Sequence, residues 1–166
     1  MQQSVRTRMA RIAVVTVLAL VGLVVTPGLA EAAYTPATAC AAQTGWPASG
    51  FTQLNSSGGA NPQVLTYFDS NLGATITLAH VYLLWNASHG ANCAVTLKDT
   101  FYGTANTTSA TLEVQNVGSF TDSSSFQFFA AAFHAAVRHR VRFKGGTTDR
   151  RGAFHTTAFS NFAWCS

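Results

Sequence analysis

Apolar and polar residues alternate along several short segments of the chain, which is the pattern of β-strands that bury one face. The longest such segment, ATITLAHVYLLW, runs from Ala74 to Trp85 and is rich in β-branched and aromatic residues. Turn-forming residues follow it, and CAVTLK, from Cys93 to Lys98, resumes the alternation. We therefore expect these two segments to pair as an antiparallel hairpin.

Further strands are expected on both sides of this hairpin. FTQL and VLTYF precede it, and ATLEVQ follows it with Ala110, Leu112 and Val114 on the inward face. A closing aromatic strand is expected in FHTTAFSNFAW. About seven or eight short strands separated by Gly, Asn and Ser predict an all-β fold, a single small antiparallel β-sandwich, with a small β-barrel as the alternative.

One segment fits two kinds of secondary structure. In FQFFAAAFHAAVRH, alanines are frequent, and Phe126, Phe129, Phe133 and Val137 recur at helical spacing. A short helix near residues 126–136 is therefore an open alternative to a strand.

The amino-terminal 32 residues have the plan of a secretory signal peptide. Three arginines and an apolar run from Ile12 to Val25 precede a Pro-Gly break, and Ala-Glu-Ala at positions 30–32 fits the small-x-small cleavage rule. The run is shorter than the roughly 20 residues that a membrane span needs. We expect cleavage, a secreted mature chain, and no membrane association after cleavage.

The mature chain has the size of one domain. Residues 33–50 contain Pro36 and Pro47 among small residues, so this stretch is expected to be an irregular lead. The all-β domain is expected to occupy residues 51–166.

Charge is concentrated near the carboxyl end of the mature chain. Once residues 1–32 are removed, seven cations and five anions remain, so the net charge falls from +4 to +2. The stretch from Val137 to Phe143 alternates strictly and is expected to form a strand that ends at Gly145-Gly146. Its cations would then project from one face as a single row. The row comprises Arg138, Arg140, Arg142 and Lys144, and Arg150 and Arg151 follow it.

This basic cluster has two interpretations. The six cations can bind an anionic polymer or glycan through salt-sensitive contacts. Alternatively, they form the soluble outer face of a strand and discourage edge pairing. No aromatic residue alternates on the charged face, so a platform for stacked bases is missing and we expect no nucleic-acid partner.

Aromatic residues are a second candidate binding feature, because exposed rings in secreted β-domains can stack on sugars. Trp46, Trp85 and Trp164 are candidates, together with the phenylalanines clustered after Ser125. Most of these rings are expected in the core, since a two-layer domain with little charge needs bulky residues inside.

Catalytic motifs are missing from the sequence. There is no Gly-x-Ser-x-Gly, no His-Glu-x-x-His and no Gly-rich phosphate loop. Scattered acids and histidines exist, but their spacing does not show that any two of them meet. We expect no catalytic residue, no enzyme activity, and neither a cofactor nor a metal. The acids and histidines considered are Asp69, Asp99, Glu113, Asp122, His80, His89 and His134.

The cysteine count is odd. Cys40, Cys93 and Cys165 can form a single bridge in an oxidising compartment, and the pairing is left open. The remaining thiol is free, capped, or joined to another molecule, for example in a disulfide-linked dimer.

Two stretches, VYLLWNASHGANCAVTLKDT and SATLEVQNVGSFTDSSSFQFF, resemble the spore-associated protein A family of small exported actinomycete proteins. The resemblance covers about Val81 to Phe129 and consists of the order and spacing of strand-like motifs. It implies a secreted all-β protein of the spore or aerial cell surface, without an established reaction. It also implies a fourth cysteine near Arg140, where this chain has none.

Together these features favour a non-enzymatic secreted surface protein associated with the spore or cell envelope. Its expected partners are the spore or cell-wall surface and an anionic polymer. A secreted polyanion- or glycan-binding module that uses the basic segment 138–151 is the alternative.

Overall fold

The computed structural model describes residues 34–164, so the expected signal peptide and Cys165 lie outside the described residues. The described chain forms one α-helix, one short 3₁₀ helix and nine strands. They are α1 (Pro36–Thr44), the 3₁₀ helix (Ala48–Gly50), β1 (Phe51–Gln53), β2 (Gln63–Asp69), β3 (Ala74–Asn86), β4 (Ala91–Lys98), β5 (Asn106–Val114), β6 (Gly118–Phe126), β7 (Phe129–Ala135), β8 (Val141–Thr148) and β9 (Phe154–Thr156).

The strands form two antiparallel sheets. Sheet A has the order β1-β3-β4-β7, with β2 also paired to β3, and sheet B has the order β6-β5-β8-β9. The predicted hairpin is β3 and β4, which pair from Ala79 opposite Lys98 to Asn86 opposite Ala91. The prediction of a small antiparallel β-sandwich is confirmed, and across residues 34–164 the two sheets do not close into a barrel.

The main core lies between the two sheets. Val81 and Leu83 of β3 share one buried cluster with Leu112 of β5 and Phe143 of β8. The predicted inward residues of β5, Ala110 included, all lie in this cluster. Burying such side chains stabilises the fold by about 1.5–3 kcal/mol each, because their apolar surface leaves water.

A second apolar layer covers the outer face of sheet A. Helix α1 packs there, and Cys40 on its buried side forms a disulfide with Cys93 of β4. Val95 and Leu84 belong to the same cluster. Because β4 is covered on both faces, it is buried along nearly its whole length, which explains why its sequence is apolar at most positions.

The predicted irregular lead at residues 33–50 was wrong over its middle part. The Thr35 hydroxyl accepts the Thr38 N–H, and the Thr38 hydroxyl accepts the Thr35 N–H, which together cap the start of α1. Pro36 stands in the first turn, where no backbone N–H is needed. Gly45 ends the helix with a φ of +77°. No helix in the described part of the chain is long and apolar enough to cross a membrane.

The alternative of a short helix near residues 126–136 was also wrong. This stretch contains the end of β6, a reversal and β7, which pairs with β4 from Phe129 opposite Leu97 to Ala135 opposite Ala91. Ala130 and Ala132 face the main core, where small side chains let the two sheets approach. The alanines therefore serve packing between sheets rather than helix formation.

Candidate functional site

The predicted row of four cations does not form, because β8 begins only at Val141. Arg138 and Arg140 lie in the turn between β7 and β8, and Arg138 has a φ of +62° that reverses the chain. Only Arg142 and Lys144 project from β8 itself. The expected strand end at Gly145-Gly146 was wrong too, since β8 continues to Thr148.

Arg150 and Arg151 are held by a carboxylate of the opposite sheet. Asp69, at the end of β2, has no exposed surface, and its oxygens lie 3.1 Å from Arg150 Nε and 2.9 Å from Arg151 Nη2. Burial alone would raise the pKa of Asp69, but the Asn71 N–H, the Tyr67 hydroxyl and both guanidinium groups outweigh it and lower the pKa. These two cations are therefore engaged in joining sheets A and B.

Asp149 forms a second side-chain contact close to this network. Its carboxylate lies 2.9 Å from His155 Nε2 and accepts the backbone N–H groups of Arg151 and Ala153. The hydrogen bond from His155 is the main cause that lowers the pKa of Asp149. The turn between β8 and β9 is thereby fixed at the edge of the sandwich.

The remaining two cations lie on the outer face of sheet B. Arg142 Nη2 donates to both carboxylate oxygens of Glu113, at 2.9 and 2.8 Å. The guanidinium carbon lies 4.5 Å from the ring centroids of Phe159 and Phe162. Lys144 Nζ lies 4.5 Å from the centroid of Phe159. Both cations are thus placed against aromatic rings.

These rings correct the expectation that the charged face lacks aromatic residues. The chain after β9 continues along the edge of β8, where Ser160 N–H donates to Phe143 O and Ala163 forms a bridge with Val141. This pairing places the two phenylalanines over the cations. The aromatic-rich closing segment was visible in the sequence, but its position over β8 depends on pairing between residues about twenty positions apart.

Rows of hydroxyl groups complete the outer face of sheet B. Ser109 of β5 pairs with Ser123 of β6, Thr111 pairs with Thr121, and Glu113 pairs with Ser119. A groove of about 420 Å³ lies over these rows. It is called the sheet B groove below and is lined by Ser109, Thr111, Glu113, Ser119, Thr121, Ser123, Lys144, Phe154, Thr156 and Phe159.

Phe154 forms part of one wall of the sheet B groove because Gly146 leaves room for its ring. A Cβ on Gly146 would clash with that ring. The Phe154 side chain remains 48% exposed. The groove is therefore lined by hydroxyls, by the charged side chains of Glu113 and Lys144, and by aromatic rings.

The candidate acids do not meet as a carboxylate pair in the described structure, since each has a partner of another kind. Glu113 binds Arg142, Asp69 binds Arg150 and Arg151, and Asp122 accepts the Ala131 N–H at the free edge of β7. Within residues 34–164, no three His, Cys, Asp or Glu side chains lie close enough together to hold a metal ion.

Among the candidate histidines, His80 meets an acid. His80 of β3 places Nδ1 2.6 Å from Asp99 Oδ2, just after β4. Both line a second groove, of about 500 Å³, which lies on sheet A beside the start of α1. Tyr34, Tyr82 and Tyr102 line it too, and we call it the tyrosine groove. His89 and His134 instead stack on aromatic rings, those of Trp46 and Phe120.

A buried lysine lies next to Asp99 in the sequence. Lys98 is 3% exposed, and its ammonium donates to the carbonyl oxygens of Thr104 and Phe126. Burial lowers its pKa to about 8. Burial, followed by the nearby Asp99 carboxylate, raises the pKa of Tyr82.

No family model, curated protein or solved structure matches this chain. The resemblance to the spore-associated protein A family therefore stays a prediction. The Cys40–Cys93 disulfide takes two of the three cysteines, and the free thiol or disulfide-linked dimer expected for the third stays a prediction as well.

Proposed function

We propose that this protein is a secreted, non-enzymatic protein of the spore or cell envelope, and that it binds envelope polysaccharide in the sheet B groove. The observation that carries the proposal is the placement of aromatic rings and rows of hydroxyls around Arg142 and Lys144. The signal-peptide pattern and the family resemblance support the location.

The aromatic wall suits the apolar face of a sugar ring. Phe154 and Phe159 present ring surface at the groove, and flat aromatic surfaces contribute strongly to binding because they bury a large area with little loss of freedom. Sugar rings carry C–H groups on their faces, so they can pack against such surfaces as apolar groups do.

The groove floor suits the hydroxyl groups of a sugar. Each serine or threonine hydroxyl can both donate and accept a hydrogen bond, which matches the sugar hydroxyl in both roles. Ser109, Ser119, Ser123 and Thr156 line the floor, and the Thr111 and Thr121 hydroxyls lie 3.0 Å apart. A few placed polar groups beside apolar surface are the usual composition of a ligand site.

Charge in the groove favours a neutral or weakly anionic glycan over a strongly charged polymer. Of the six cations considered for polyanion binding, Arg142, Arg150 and Arg151 have carboxylate partners. A cation that already pairs with a carboxylate releases fewer counterions when it meets another anion. The simple polyanion module that uses residues 138–151 is therefore the less favoured alternative.

Fractionation tests this proposal with two matched variants. The chain is expressed with its own leader in a sporulating host, and washed spores, washed cells and culture fluid are assayed. Phe154→Ala removes a ring of the sheet B groove, whereas the control Phe68→Ala removes a ring that is 66% exposed on sheet A. We expect the unaltered protein and the control on the washed surface, and a clearly smaller surface-bound fraction for Phe154→Ala. Finding the unaltered protein only in the fluid, or all three equally bound, would contradict the proposal.

A further inference from the structure

We propose that the tyrosine groove is a second sugar site, specific for neutral sugars, and that the protein bridges two glycan chains. The second site stands on its own geometry, whereas the bridging rests on the proposed function of the sheet B groove.

The tyrosine groove is assembled from three segments: β3, the end of β4 with the connection to β5, and the residues at the start of α1. His80 and Tyr82 come from β3, Asp99 follows β4, Tyr102 lies in the turn before β5, and Tyr34 precedes α1. The Cys40–Cys93 disulfide fastens α1 to β4, so it also holds the segment that carries Tyr34 against the sheet.

The rings at the groove are held in fixed positions. The Tyr102 hydroxyl accepts the backbone N–H of Tyr34 at 3.0 Å. The rings of Tyr34 and Tyr102 both pack on Phe128, with centroid distances of 5.7 and 4.9 Å. Because these side chains are ordered before any ligand arrives, binding costs less conformational entropy. Tyr102 remains 36% exposed, which leaves part of its ring for contact.

The His80–Asp99 pair supplies an oriented polar group. A carboxylate that accepts Nδ1–H fixes the ring orientation, and the other ring nitrogen then accepts a hydrogen bond in the neutral imidazole and donates one in the protonated form. None of the hydrogen bonds formed among residues 34–164 involves His80 Nε2. The groove therefore offers one hydrogen-bonding nitrogen beside the tyrosine rings, and a hydroxyl group of a ligand can pair with it in either protonation state.

The same pair could serve as a general base, but the rest of the groove is built for binding. The nearest cation in the sequence, Lys98, directs its ammonium to the carbonyls of Thr104 and Phe126 rather than to a ligand. With the Asp99 carboxylate and the Lys98 ammonium adjacent in the chain, the charges in this region nearly balance. A neutral hexopyranoside fits this balance better than an anionic sugar.

The two grooves lie on different layers of the molecule. The sheet B groove lies on the outer face of sheet B, and the tyrosine groove lies on the outer face of sheet A, with the main core between the sheets. One molecule can therefore hold two glycan chains at once. Two linked sites give a combined affinity well above that of either one.

Calorimetry with the neutral hexasaccharides of glucose and of N-acetylglucosamine tests the second site. Three variants are compared with the unaltered mature chain: Tyr102→Ala, His80→Ala and Phe154→Ala. We expect affinity for at least one hexasaccharide to fall about tenfold or more in the first two and to be retained in Phe154→Ala. Binding of neither hexasaccharide, a loss in Phe154→Ala alone, or cleavage of the sugar would overturn the second site. Circular dichroism of each variant confirms that it is folded, and Tyr102→Phe, which keeps the ring, should keep most of the affinity.

Agglutination tests the bridging separately. Beads coated with cell-wall polysaccharide are mixed with the protein in a Cys165→Ser background, so that a disulfide-linked dimer cannot supply the second site. We expect the two-site protein to clump the beads, and Tyr102→Ala to bind them without clumping. Clumping by Tyr102→Ala, or binding without clumping by the two-site protein, would overturn the bridging. Neither of these results would remove the proposed function, which fails if the unaltered protein stays in the culture fluid or if Phe154→Ala binds as well as the unaltered protein.

Discussion

Arg142 donates from one guanidinium nitrogen to both carboxylate oxygens of Glu113, at 2.9 and 2.8 Å, on the outer face of sheet B. Both side chains are only partly exposed, and the guanidinium also lies over two phenylalanine rings. The charge of Arg142 is thus neutralised by Glu113, and its guanidinium is fixed in orientation. We therefore expect Arg142 to contribute to ligand binding mainly by holding the surrounding side chains in place, and little through its net charge.

The salt dependence of glycan binding follows from this pair. In the unaltered protein, we expect the affinity for wall polysaccharide to fall only weakly with salt. Glu113→Gln keeps the size of the side chain but frees the charge of Arg142, so the logarithm of the affinity should fall more steeply with the logarithm of the salt concentration. Binding assays across a salt series measure both slopes. A steep slope in the unaltered protein would favour the polyanion module instead.

Asp69 should support stability at neutral pH and lose that role in acid. Its pKa in the folded protein is lowered, as is that of Asp149, so the stabilisation is present above the ordinary carboxyl pKa of 3.8. This stabilisation is lost as the pH falls below about 4 and the two carboxylates of the folded protein become protonated. Asp69→Asn should lower the Tm by several degrees at pH 7 and flatten the acid side of the Tm profile. Thermal unfolding from pH 7 to pH 2 measures this, and an unchanged profile would show that the Arg150 and Arg151 contacts contribute nothing.

Lys98 should also make stability rise with pH, in this case on the alkaline side. Its pKa is lowered from 10.5 to about 8 by burial, so the folded protein binds this proton more weakly than the unfolded chain does. The free energy of unfolding should therefore rise as the pH increases from about 8 toward 10. Lys98→Met should remove this rise. Denaturant unfolding at pH 7, 8 and 9.5 tests it, below the range where Tyr67 and Tyr82, whose pKa values are raised, begin to act in the other direction. A fall in stability over this interval would contradict the assignment.

The Cys40–Cys93 disulfide should stabilise the layer formed by α1. Changing both residues to alanine should reduce the free energy of unfolding by about 2–5 kcal/mol, the usual cost of removing a native bridge from a small secreted domain. Binding in the tyrosine groove should weaken more than binding in the sheet B groove, because only the former uses a residue next to α1. Urea unfolding and the two binding assays measure these effects. Cys165→Ser is the control, for which no loss of stability is expected.

The sandwich could be predicted from sequence because alternation reports a strand with one buried face, as in β5. The same alternation does not predict what packs against the opposite face of the sheet. The sequence of β4 is apolar at most positions because α1 covers it. Helix α1 itself was not predicted, because Pro36 was interpreted as disfavouring regular structure, whereas it stands in the first turn of the helix. In residues 126–136, the alanines matched a helix, yet their small size serves close packing between the sheets.

The candidate site was only partly predictable for a related reason. Arg142 and Lys144 alternate in the sequence, so their common face follows from local geometry. The turn that moves Arg138 out of β8 depends on a positive φ, which the residue type does not predict. Phe159 reaches Arg142 and Lys144, and His80 reaches Asp99, only because distant segments pair in the fold. Spacing along the chain does not predict such contacts.

Nuclear magnetic resonance titration of the mature chain with soluble fragments of wall polysaccharide tests the central claim most directly. The account predicts that amide signals of Thr111, Lys144 and Phe154, around the sheet B groove, shift in a saturable manner. It also predicts that these shifts disappear in Phe154→Ala and persist in Phe68→Ala. Saturable shifts confined to other parts of the protein, or no shifts with fragments of a wall that retains the protein, would contradict it.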